Sequence, residues 1–152
     1  MQPNIAYTFC VLRYVHDPVV GEMLNVGVLL YAPTAAYLGF RFEQETRRLS
    51  ATFADFDVEN FRHYIARMET ALQHIADAMQ PFAPLSEPPQ SIEAITHLVF
   101  PDTGGSFQPG VVLAGIADNL PVELELLFDR MVASQYKRET KILRNDEEVW
   151  TV

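Results

Sequence analysis

The sequence predicts an α+β domain: an antiparallel sheet of about four strands, opened by an N-terminal β-meander, with two or three helices packed mainly on one face. Three observations predict it. Residues Tyr7 to Tyr31, YTFCVLRYVHDPVVGEMLNVGVLLY, form two apolar runs rich in β-branched and aromatic side chains, split by a polar turn. From Val58 to Met79 the apolar residues recur at steps of three and four, the period of an amphipathic helix. A second helical stripe, Leu124, Leu127, Phe128, Met131 and Val132, follows near the end. With 152 residues, 49% hydrophobic and 20% charged, the chain suits one domain with a core over about residues 5–134.

Taken in order, Tyr7 to Val15 is a strand whose two alternating sets are both largely apolar, which suits a strand covered on both faces. His16-Asp17-Pro18 breaks the run and Gly21 ends the break. Leu24 to Leu30 is the returning strand, with Leu24, Val26, Val28 and Leu30 expected on one face and Asn25, Gly27 and Leu29 on the other. After a turn at Ala32–Ala35, the alternating YLGFRF of Tyr37–Phe42 completes the meander. Glu43 to Phe56 reads as charged and mixed, with Glu45, Arg47 and Arg48 solvated. Asp57 caps the long helix, Glu59 favours its dipole, and Pro81 stops it. Pro81–Gln90 reads as an extended crossover, and Ser91 caps a short helix with Ile92, Ile95, Leu98 and Val99 inward. Ser106–Gly115 is a fourth strand, which Pro109 places at an edge. Asp118, Asn119 and Pro121 mark the start of the last helix.

Composition removes several functions. Formal net charge is −9 and the sequence pI is near 4.8, against broad nucleic-acid binding and in favour of basic partners or plain solubility. No run of eighteen apolar residues and no signal-peptide pattern occurs, so neither a membrane span nor a leader is expected. The single cysteine, Cys10, reads as a buried thiol in a reducing cytoplasm. The four histidines lack ligand spacing, and there is no nucleophile elbow and no Gly-Lys-Ser/Thr loop, so no metal or cofactor is expected. Gly104-Gly105 is followed by Ser106-Phe107 rather than a Lys, which leaves a phosphate cradle unsupported. His16-Asp17 is an acid/base candidate weakened by adjacency, since neighbours on a strand point apart.

The residues that stand out are polar ones in apolar surroundings. A loop centred near Val19 makes Arg13 and Asn25 near cross-strand neighbours, with Gly27 beside them leaving room for a ligand or another backbone. Glu22 is a candidate partner for Arg13. One register of the third strand adds Arg41 to that face, and a one-residue slip removes it. Arg13, Glu22, Asn25 and Arg41 are therefore either a structural set or a binding face for a phosphate- or carboxylate-bearing ligand. The tail 135–152 turns basic over Lys137–Arg144 and then acidic, and reads as a continued helix, an added strand or a docking arm.

Tyr7, Leu12-Arg13-Tyr14-Val15, Asp17-Pro18, Gly21-Glu22 and Asn25-Val26-Gly27-Val28 together resemble the bacterial domain-of-unknown-function family 3037. Leu38–Phe42 and Leu124–Val132 are similar to later blocks of that family. The resemblance brings no activity. It implies a small partner subunit beside a HipA-like kinase, hence a non-catalytic member of a toxin–antitoxin or phage-defence-type module. A ligand-binding or enzymatic hairpin face and a nucleic-acid role for the basic tail are the alternatives, and a homo-oligomer stays open.

Overall fold

A computed structural model describes residues 4–17, 19–79, 87–100 and 106–134. Most of the expected crossover, the turn at Pro101–Gly105 and the tail after Ser134 lie outside the described residues.

The hairpin pairs β1 (Ile5–Asp17) with β2 (Glu22–Ala32). Its turn is held by the Asp17 carboxylate, which accepts the Val19 and Val20 amides at 2.9 and 3.3 Å. Gly21 closes it at φ +80°, where a side chain would be strained. A short 3-10 turn, Pro33–Ala35, leads into β3 (Tyr37–Phe42), which pairs with β2. The fourth strand of the sequence reading is two pieces, β4 (Phe107–Pro109) and β5 (Leu113–Ala117), both antiparallel to β1. Among the described residues the sheet thus has five strands in the order β3-β2-β1-β4, with β5 also on β1. Pro109 stands at the edge, where its missing N–H costs no ladder bond.

The helices are α1 (Arg47–Thr52), α2 (Val58–Ala78), α3 (Ile92–Val99) and α4 (Leu120–Phe128), the last continuing into one π turn at Asp129–Ala133. Asp57, Ser91 and Asn119 cap α2, α3 and α4 by accepting the amides of Asn60, Ala94 and Val122. Helices α1, α2 and α3 share one face, where Leu49, Ile65, Leu72 and Ile95 pack with Leu12, Val26, Leu29 and Tyr31. Helix α4 covers the opposite face, with Leu124, Leu127 and Phe128 against Tyr7, Phe9, Val28 and Leu30. Helices therefore lie mainly on one face, but both are covered. That is why both side-chain sets of β1 are apolar.

Three expectations are corrected. Leu12 pairs with Gly27 but Arg13 pairs with Asn25, so Val26 is the extra residue of a β-bulge. The bulge turns Val26 onto the face of Leu29, away from Val28 and Leu30. Glu45 and Arg47 are exposed as expected, but Arg48 is half-buried with its Nε and Nη1 out of reach of solvent, in a short helix α1 that buries Leu49 and is followed by buried Phe53. Six residues are too few for a legible helical period. In α3 the inward stripe is Ile92, Ile95, Thr96 and Val99, leaving Leu98 off it and exposed.

Cys10 is wholly buried, and burial pushes its thiol up to about 12. Among the described residues no helix is long and apolar enough to cross a membrane.

Candidate functional site

The hairpin carries two polar groupings on opposite faces, because consecutive strand residues point apart. The first contains the residues singled out above. Arg13 and Asn25 are direct cross-strand partners. The Arg13 guanidinium extends over Gly110, whose Cβ position lies 3.4 Å from Arg13 Cζ. Asn25 donates from Nδ2 to the Met131 carbonyl at 3.2 Å, tying the hairpin to the π turn. The β2–β3 register sets Arg41 opposite Val28, on the face that α4 covers. There Arg41 donates to Glu125 and lies 4.6 Å over the Phe128 ring. That hydrogen bond is also the first cause holding its guanidinium above the ordinary arginine range. Glu22 lies opposite Asp17 in the backbone ladder at the exposed hairpin tip, and no ion pair joins it to Arg13 among the described residues. The space beside Gly27 is filled by Phe42 and the Arg41 carbonyl, 2.8 and 3.0 Å from its Cβ position.

The second grouping is a hydrogen-bonded chain. Val15 pairs with Met23 and Asp17 with Glu22, so His16 is the extra residue of a second bulge. Bulges re-aim side chains. Here the His16 ring stacks on Phe53 at 4.4 Å and 12°. Its Nδ1 lies 2.8 Å from the Tyr14 hydroxyl and its Nε2 2.6 Å from Asp55 Oδ1. A carboxylate only accepts, so Nε2 carries a proton toward Asp55. In the neutral ring Nδ1 then accepts from Tyr14. The hydrogen bond from His16 is the first cause holding the Asp55 carboxyl below the usual range. Burial, then the Asp55 charge, raises the Tyr14 phenol. Carboxylate, imidazole and phenol in this order can hold a proton at the Tyr14 oxygen or pass it to the ring. The pairing His16-Asp17 does not form: Asp17 serves the turn while His16 turns to Asp55.

Tyr14 also sits among aromatic rings, with Phe56, Phe61 and Phe107 centroids at 5.4, 5.7 and 5.7 Å. Beside them is a recess of about 190 Å³, bordered by Tyr14, Asp55, Phe56, Phe61, Tyr64 and Phe107. Among the described residues no group of His, Cys, Asp and Glu is placed to hold a metal.

The third feature is the outer edge of β5. From Val111 to Ala117, VVLAGIA, there is no charged residue, and Val111, Leu113 and Ile116 are 74%, 50% and 66% exposed. Strand β5 pairs only with β1 among the described residues. An apolar groove of about 710 Å³ lies over the paired β5 and β1, between Ala114–Ile116, Ala6–Thr8, Tyr31 and the start of α3 at Ser91–Glu93.

A family model described as a protein of unknown function, DUF3037, matches residues 9–132. The chain belongs to the DUF3037 family. The match takes in the hairpin, both bulges, α4 and most of the π turn, so all three features fall inside the DUF3037 region apart from the first residues of β1. No curated protein and no solved structure matches the chain significantly. The DUF3037 description carries no activity, so its chemistry has to be argued from these side chains.

Sequence reasoning missed Asp55 and the edge groove. Tyr14 and His16 stand two apart and were findable as a pair, but Asp55 is 39 residues from His16. Only the packing of the α1–α2 connection brings it there.

Proposed function

We propose that this DUF3037 chain is a non-catalytic subunit that joins a protein partner along the outer edge of β5. The observation that carries the reading is the uncharged edge Val111–Ala117 with its exposed Val111, Leu113 and Ile116. Unpaired strand edges offer a row of backbone donors and acceptors. Proteins ordinarily blunt them with lysine, inward charges or a covering element. An edge left apolar, next to an apolar groove, suits strand addition by a partner: main-chain bonds give affinity and the groove takes a side chain. The partner we put forward belongs to a toxin–antitoxin or phage-defence-type module, a HipA-like kinase being the neighbour that the family resemblance implies.

The test is affinity purification of the tagged full-length chain from its native host. A stoichiometric partner should accompany the wild type and be lost from Ile116→Lys, with the thermal midpoint unchanged. Wild type that purifies alone contradicts the proposal. A symmetric dimer split by Ile116→Lys gives the edge to a second copy, and overturns it too.

A further inference from the structure

We propose that the recess between Tyr14, Phe56, Phe61, Tyr64 and Phe107 is a binding site for an alkylated ammonium group, with the Asp55 carboxylate as its counter-ion. None of the residues lining the recess belongs to β5.

The walls decide the chemistry. Five aromatic side chains border the recess, and the face of an aromatic ring carries negative potential that attracts a cation. The polar groups at the same recess are Asp55, Asp57, Asn60 and Ser106, and none of its lining residues is Lys or Arg. An anion would therefore meet two carboxylates and no cationic side chain, while a cation meets charges of the favourable sign beside aromatic rings. A bare metal ion fits poorly, because ring faces offer it no oxygen ligands. An alkylated ammonium presents a charge spread under methyl groups, which can pack on rings and lose water at little cost. The volume, about 190 Å³, admits a head group and not a large ligand.

The carboxylate is also held in place. His16 donates to Asp55 Oδ1 at 2.6 Å, and its ring is fixed by stacking on Phe53 and by Tyr14. One oxygen is used in this way, and a carboxylate has acceptor sites to spare. Asp57 also uses one oxygen, to cap α2, and adds its charge to that of Asp55 at the same recess. The Tyr14–His16–Asp55 chain thus acquires a role that a staple between strand and loop does not need: it aims a negative charge at an aromatic recess. The acidic chain, at −9, favours arrival of a cation.

The experiment titrates the full-length protein with choline and with its neutral isostere 3,3-dimethylbutan-1-ol, following ring-proton shifts by NMR. Choline should saturate and bind at least roughly tenfold more tightly than the isostere, the scale of a desolvated cation–π contact. Asp55→Asn keeps an acceptor for His16 but removes the charge and, at a side chain 85% exposed, should weaken choline about two- to fivefold with the thermal midpoint unchanged. Tyr64→Ala, at a side chain 42% exposed, should do the same, and carries the comparison if Asp55→Asn proves unstable. A peptide bearing trimethyl-lysine, run beside choline, separates a protein side chain from a free amine as the source of the group. Equal binding of choline and its isostere, no saturation in the millimolar range, or unchanged affinity in both variants overturns the proposal.

Discussion

Strands β3 and β5 are outer strands of the same sheet, but they are finished differently. Strand β3 carries Arg41 and is packed by α2 on one face and α4 on the other. Its arginine is spent on Glu125 and the Phe128 ring. Strand β5 has no charge, and three large apolar side chains at or beside it face solvent. Helices on both faces and an arginine leave β3 little apolar surface to offer another chain. Among the described residues β5 carries no charge and leaves Leu113 and Ile116 exposed, and this is the edge that we propose a partner strand extends.

The comparison can be broken most forcefully at the centre of the sheet. Leu29 is wholly buried in β2, so Leu29→Ala should cost about 2–5 kcal/mol in urea unfolding. Leu113→Ala, on the half-exposed edge, should stay within about 0.5 kcal/mol. Similar losses at the two sites would mean that the isolated chain already buries its edge. A smaller effect is expected where β3 meets β2. Gly27→Ala places a methyl 2.8 Å from Phe42 and 3.0 Å from the Arg41 carbonyl, and should cost about 1–3 kcal/mol. Adding Phe42→Leu should recover part of that loss, since the two sites share one contact.

Much of the scaffold was legible because it rests on local signals. The alternation of Tyr7–Leu30, the stripe from Phe61 to Leu72, and the caps Asp57, Ser91 and Asn119 are each a short-range pattern, and each forms the element it predicts. Two bulges were not legible, because an extra residue shows only when both strands are in register. Val26 changed face for that reason, and His16 was freed to reach Asp55. Arg13 and Asn25 were correctly read as neighbours, yet what Asn25 touches, the Met131 carbonyl, is 106 residues away. The open edge was half visible: Pro109 announced an outer strand, but the groove beside β5 needs Pro33 and Ser91–Glu93, which only the fold assembles.

The account turns on β5 accepting a strand from a partner, and backbone hydrogen exchange reads that directly. In the complex isolated from the native host, the amides of Leu113–Ala117 should become more protected than in the chain alone, while those of Tyr37–Phe42 in β3 stay unchanged. Protection that rises at β3 and not at β5, or a complex that leaves both edges as they were, would contradict it.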